Sequence, residues 1–254
     1  MSEGQGEVHM KILIFIFIVL GLIVFNYCYH NKVRIHFSTF FKKGFKKVDD
    51  DYGLYIFYGN QGDGKTFSVI DILRHFLGHK KVFTNVKSFA DKFKNEVIFE
   101  PNLEKLISFL EAKEDCSDIV VFYDEIFSLF KDTYMPDDIR TVLTQLRKKH
   151  LYFFTSSQEW TSLPRQFRKL CRYEVTCSMF NIPFLGFAVL INKFNDGYNI
   201  HWSSDEQEYV APRLWTSIKK CNKVVADSYD TYEAVHHYRS KPRATLQSRA
   251  SVLK

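Results

Sequence analysis

The sequence predicts an α/β fold: a mainly parallel central sheet with helices on both faces, an antiparallel meander at one edge, and one apolar helix ahead of it all. Three observations carry this. Short apolar runs alternate with helically spaced apolar stripes between Leu54 and Thr155. Strand-like segments follow one another without a helix between them from Tyr173 to Trp202. An unbroken apolar run, Ile12 to Phe25, stands before the first strand. The 254 residues are enough for one core of about 200 residues with a short appendage.

The apolar run, extended through Asn26, Tyr27, Cys28 and Tyr29, gives about 18 residues, or roughly 27 Å of helix against a hydrocarbon core of about 30 Å. Residues 12–29 are therefore expected to cross a membrane. A signal peptide fits less well. Glu3 and Glu7 stand with the single Lys11 before the run, and no small-residue cleavage pattern follows it. Lys32, Arg34, Lys42, Lys43, Lys46 and Lys47 come after it, so the positive-inside rule puts the C-terminal side in the cytoplasm. Residues 1–11 then form a short non-cytoplasmic N-terminus. Residues 30–50 form a basic juxtamembrane linker that carries Phe37, Phe40, Phe41 and Phe45.

The main domain is expected over 51–238. Leu54–Tyr58 reads as a buried strand. The stripe Val69, Ile70, Ile72, Leu73, Phe76 and Leu77 follows as a helix, ended by Gly78. Lys81–Val86 is a second strand. Leu103, Leu106, Ile107 and Leu110 mark a helix with Asn102 as its N-cap. Ile119–Tyr123 is a third strand; Ile139, Val142, Leu143 and Leu146 line another helix; Leu151–Thr155 is a fourth strand. Tyr173–Phe180, Leu185–Phe194 and Tyr198–Trp202 are expected as the meander, with Asp196-Gly197 as a hairpin turn. Residues 239–254 are expected to form a basic, flexible tail. The five cysteines form no Cys-x-x-Cys pair, which argues against a disulfide framework or a zinc site. The net charge of +6 fits contact with nucleic acid or an anionic membrane surface, or two solvated basic ends.

Three segments carry the chemistry. Gly59-Asn60-Gln61-Gly62-Asp63-Gly64-Lys65-Thr66 matches G-x-x-x-x-G-K-[ST] between a strand and a helix. Such a loop turns its backbone N–H groups onto phosphate oxygens at a helix N-terminus. Lys65 is expected to reach the β- and γ-phosphates of ATP, and the Thr66 hydroxyl to ligate Mg2+. Asp63, an acid inside an anion cradle, is expected to point outward. The strand Ile119–Tyr123 ends in Asp124, expected in the Mg2+ shell, and Glu125, expected to polarise the attacking water. The fourth strand leads into Ser156-Ser157-Gln158, and Gln158 is the expected γ-phosphate sensor. Arg147, beside Lys148, Lys149 and His150, is a candidate arginine finger acting on a neighbouring subunit, with Arg165 and Arg168 as rivals. A basic helix end also serves to offset the helix dipole.

Taken together, the fold expected is a RecA-like P-loop NTPase of the additional-strand type. The order of the P-loop, the Val-Val-Phe-Tyr-Asp-Glu strand, the stretch Arg147 to Gln158, Leu163-Pro164-Arg165-Gln166-Phe167-Arg168 and the late Tyr229-Asp230-Thr231-Tyr232 resembles the zonular occludens toxin (Zot)-like phage assembly ATPases, within the FtsK–HerA group. The resemblance spans about residues 53–232. It differs in two respects: the family's transmembrane helix usually follows the ATPase domain, and a Ser or small residue usually stands where Asp63 is. A packaging ATPase of a membrane-containing virus fits the remaining features equally. The resemblance implies a homo-oligomeric, hexameric ring with nucleotide at subunit interfaces. It also implies ATP and Mg2+ as cofactors, phage or viral DNA and coat proteins as partners, and a place in the host inner membrane or a virion membrane. The function expected is a membrane-anchored ATPase that couples ATP hydrolysis to virion assembly, extruding or packaging DNA; the alternatives are a nucleotide-gated membrane assembly scaffold and, a lesser one, a small-molecule kinase.

Overall fold

The computed structural model describes residues 3–30, 33–35, 51–126, 130, 135–182, 187–203, 208–221 and 223–230. Helix α1 (Glu3–His30) contains the apolar stretch Met10–His30, which is exposed along almost all of its length. It is long and apolar enough to cross a membrane. Phe15, Phe17 and Phe25 are exposed around it.

The sheet is built from β1 (Val33–Ile35), β2 (Gly53–Tyr58), β3 (Lys81–Thr84), β4 (Val97–Phe99), β5 (Ile119–Tyr123), β6 (Tyr152–Ser157), β7 (Cys171–Ile182), β8 (Phe187–Asp196) and β11 (Arg213–Lys220). Their spatial order is β1-β11-β8-β7-β2-β6-β5-β3-β4. Among the described strands β8 alone runs against the others. The helices are α2 (Lys65–Leu73), α3 (Lys87–Lys92), α4 (Leu103–Ala112), α5 (Asp137–Thr144), α6 (Arg165–Lys169) and α7 (Lys223–Ala226).

The alternation within β2 shows why both faces are covered. Tyr55 and Phe57 pack into a cluster with Val69, Ile70 and Leu73 of α2 and Phe89 of α3. Leu54 and Ile56 pack on the opposite face with Leu106 and Leu110 of α4 and Val142 of α5. A strand buried on both sides reads as a continuous apolar run, as this one does. Helix α4 begins where the Asn102 side chain accepts from the Lys105 N–H at 3.0 Å, satisfying one of the free donors of the first turn.

Beta strand β6 lies between β2 and β5, the placement expected of an additional-strand fold. The meander differs in its last member. Strand β11 takes the place next to β8, whereas His201–Ser203 (β9) pairs with Glu208–Val210 (β10) in a separate two-stranded sheet. The turn at Asp196-Gly197 does form: the Asp196 carboxylate accepts from the Tyr198 N–H and the Asn199 side chain. Gly197 then donates to the Arg172 carbonyl, which steers the chain off the sheet instead of back along it. Residues 33–35 of the expected linker join the sheet as β1, parallel to β11. Residues 36–50, the tail 239–254, and Thr231 and Tyr232 lie outside the described residues.

Candidate functional site

The loop Gly59–Gly64 leaves the C-terminal end of β2 and enters α2. Gly64 stands at the N-cap with φ 76°, a left-handed geometry that suits glycine. Gly59 has φ 151°, and a Cβ there would sit 2.8 Å from the Cys177 carbonyl oxygen. Lys65 folds over the loop and its Nζ donates to the carbonyls of Gly59 and Asn60, each at 2.9 Å. The Asp63 carboxylate does not point outward. It turns back and accepts from the Asn60 N–H at 2.6 Å, while the Asp63 N–H donates to the Asn60 carbonyl at 3.2 Å. An acid in this loop thereby satisfies a local donor, which is the usual habit of Asp in tight turns.

Asp124 follows β5 and is buried. The Thr66 hydroxyl donates to its Oδ2 at 2.9 Å, and the Ser156 hydroxyl donates to its Oδ1. Burial pushes the Asp124 carboxyl above its ordinary range, against the two hydroxyl bonds that favour the charged form; the Glu125 charge adds to the rise and Lys65 opposes it. Asn85, just beyond β3, holds the Asp124 backbone from both sides, accepting from its N–H at 2.7 Å and donating to its carbonyl at 3.0 Å.

Glu125 has φ 50°, in the left-handed region that costs a non-glycine residue about 1–3 kcal/mol. Its N–H donates to the Ser156 hydroxyl at 3.0 Å. The twist turns the side chain toward the tip of β6, where Gln158 Nε2 reaches Glu125 Oε1 at 3.5 Å. Strain at this residue is the kind that a rigid surrounding holds in place at functional sites. Thr66, Lys65, Asp124, Glu125 and Gln158 are therefore gathered at the C-terminal edge of three adjacent strands. The architecture is that of a RecA-like P-loop NTPase.

Three of the solved structures similar to this chain show how far the likeness goes. The N-terminal domain of zonular occludens toxin from Neisseria meningitidis has a TM-score of 0.44 and 18% identity, over 70% of this chain and 98% of that one. The genome packaging NTPase B204 from Sulfolobus turreted icosahedral virus 2, in complex with ATP-gammaS, has a TM-score of 0.40 and 14% identity, over 69% of this chain and 98% of that one. The flagellar accessory protein FlaH from Methanocaldococcus jannaschii gives 0.36 and 14%, over 56% and 77%. No family model and no curated protein matches the sequence. At these values the likeness carries no argument, and both the fold and the chemistry of the site rest on the chain's own geometry.

That geometry suits a magnesium nucleotide. Among the described residues no group of three or more His, Cys, Asp or Glu gathers to hold a metal. The Thr66 hydroxyl and Asp124 carboxylate are a pair of hard oxygen donors of the sort that holds Mg2+ jointly with phosphate and water.

The arginine candidates separate. Arg147 lies near Asp51 and Tyr198: burial raises the Tyr198 pKa and the Arg147 charge opposes that rise, while the same charge adds a small part to the lowering at Asp51. That is the N-terminal end of β2, roughly 20 Å of strand away from the P-loop. Arg168 lies at the other end: its guanidinium is 5.9 Å from the Trp160 ring centroid, and Trp160 packs 5.7 Å from Tyr58, the residue before the P-loop. Burial pushes the Arg168 pKa down, and the neighbouring Arg165 charge adds to that. Tyr229 packs on the α2 side of the core, where burial first and the Asp124 charge second raise its pKa. The Asp230 N–H donates to the Ser88 hydroxyl at 3.0 Å.

Asn85 and Ser156 were not evident from the sequence as site residues. Each is one small polar residue at a strand tip, and only the sheet order brings both to Asp124. The position of Ser156 two residues before Gln158 is the one signal that could have pointed to it.

Proposed function

We propose that this chain is an ATP hydrolase that works at a membrane. The observation that carries it is the 2.9 Å contact between Thr66 and Asp124, with Glu125 and Gln158 alongside. Bound Mg2+–ATP would supply the phosphoanhydride and the charge that activates it. Lys65 and the backbone N–H groups of the loop would hold the phosphates and Thr66 and Asp124 the metal, with Glu125 placed to accept the proton of an attacking water that Gln158 would help to position. The test is Glu125→Gln in the full chain. It keeps ATP binding and stops turnover; continued hydrolysis would remove Glu125 from its role as base.

We further propose that hydrolysis drives virion assembly by moving viral DNA, in a ring with nucleotide at the subunit interfaces and with α1 as the membrane anchor. Support comes from the order of motifs shared with the Zot-like ATPases and from the uncovered apolar surface of α1. In such a ring the finger acts in trans. Arg147, remote from its own P-loop, could serve only a neighbour's nucleotide; Arg165 and Arg168 lie closer to the P-loop edge. DNA-stimulated hydrolysis that rises with oligomer formation supports the motor. Hydrolysis indifferent to DNA in a folded oligomer points instead to a protein-assembly ATPase. A nucleotide-gated scaffold is the second reading, favoured by the Asp63 carboxylate placed in the loop itself.

A further inference from the structure

The helix that follows the P-loop carries two polar side chains on its sheet-facing side, Ser68 and Asp71, three residues apart. Both are buried, at 0% and 7% exposed. Residues at this spacing lie over one another on a helix face. Ser68 Oγ is 2.8 Å from the Gly64 carbonyl oxygen, inside the phosphate loop, and 3.1 Å from Oδ1 of Asn192 on β8. Asp71 Oδ2 pairs with the ammonium of Lys219 on β11. Asn192 and Lys219 are themselves 1% and 7% exposed. Neither belongs to the strands that carry the catalytic groups. They come from the antiparallel edge, where β11 also pairs with β1 at Val33, Arg34 and Ile35.

A buried charge pair stabilises a fold little compared with apolar packing, yet removing one partner leaves an uncompensated charge. Here the pair has a direction: it fixes α2 along the line of β11. A second contact, one turn nearer the P-loop, fixes it to β8. The hydrophobic contacts of Val69, Ile70 and Leu73 hold α2 against the sheet, but apolar packing is not directional. The polar contacts set where along the sheet the helix, and so the loop at its head, comes to rest.

We propose that Lys219 and Asn192 are positioning residues for nucleotide binding, holding the P-loop helix in register through Asp71 and Ser68. The proposal rests on the reading of Gly59–Thr66 as a nucleotide site. Its test uses the full chain in detergent, with ATP affinity, KM and kcat measured alongside thermal unfolding. Asn192→Ala and Lys219→Met each raise KM and the ATP Kd by roughly fivefold or more, the low end of a one-contact coupling, with kcat at saturation changed less. Lys219→Arg, which keeps the ion pair, restores affinity to within about twofold. Because Lys219→Met strands a buried carboxylate, the double variant Asp71→Leu/Lys219→Met serves as the folded control. It carries no unpaired charge and still lacks the directional contact. Wild-type affinity in that folded double variant, with Lys65→Ala weakened as expected, overturns the proposal alone. Unaltered affinity in Lys65→Ala overturns the nucleotide reading and the proposal with it.

Discussion

Asn85 grips the backbone of Asp124 at both its N–H and its carbonyl, at 2.7 and 3.0 Å. Two strand tips, those of β3 and β5, are joined by one side-chain amide, and the carboxylate that faces Thr66 is aimed by it. Asn85→Leu removes both bonds and leaves buried backbone groups without partners. The expected loss of stability is about 1–3 kcal/mol per group left unsatisfied. ATP turnover is expected to fall more steeply than ATP affinity, since the metal ligand is misdirected while the phosphate loop is intact. Chemical denaturation together with steady-state kinetics checks both parts.

The Gln158 amide donates to Glu125 Oε1 at 3.5 Å, a loose contact. A group that tightens only with the reacting water present contributes to kcat and little to binding. Gln158→Ala is therefore expected to lower kcat by about tenfold or more, toward the range seen when one transition-state donor is lost, with KM within about threefold. A rise in KM at constant kcat would assign Gln158 to substrate binding instead.

Much of this site was legible in the sequence because its parts are contiguous. The P-loop is eight residues in one run, and Asp124-Glu125 close an apolar strand that could hardly be read otherwise. Gln158 could be placed because its strand was expected between β2 and β5, and it is. The rest depended on pairings over long sequence distances. Strand β11 contains Lys219 and Lys220, so its run looks too polar for a sheet interior. Only the distant Asp71 explains a lysine there. Strands β1 and β4 are three residues each, too short for any periodicity to register. Weighing Asp63 against an incoming anion points its carboxylate outward, whereas the Asn60 N–H three residues back draws it in.

Asp51 gives the fold a pH-dependent clasp at the end of the sheet remote from the P-loop. Burial works to raise its pKa, but hydrogen bonds from Tyr173 and Arg172 and the nearby Arg172 and Arg147 charges outweigh it, leaving the group below its ordinary value of 3.8. A carboxylate with a depressed folded pKa stabilises the fold above its unfolded pKa, and that contribution is lost as pH falls through the folded value. Asp51→Asn is thus expected to be destabilising at neutral pH, with the gap to the wild type closing as the pH drops below 3.8. Denaturation midpoints of the two proteins across pH 3 to 7 test this, pH being stepped about one unit at a time. A gap that stays constant would assign the effect to packing.

Gly59→Ala tests how closely the antiparallel hairpin backs the phosphate loop. Gly59 has φ 151°, which disfavours any side chain, and the added Cβ would lie 2.8 Å from the backbone carbonyl oxygen of Cys177 on β7. A backbone atom inside a paired strand cannot move aside as a flexible side chain could, so the loop must shift. Gly64→Ala makes a useful contrast. It meets the Leu190 Cδ1 atom at 2.8 Å, the far end of a side chain, and its own φ of 76° gives it a positive φ in common with Gly59. Gly59→Ala is expected to weaken ATP binding by about tenfold or more, equivalent to roughly 1.4 kcal/mol, and to lower the unfolding temperature. If Gly64→Ala were the more damaging of the two, the backbone conformation at the head of α2 would matter more than the contact with β7, and the hairpin would be a lesser support for the loop.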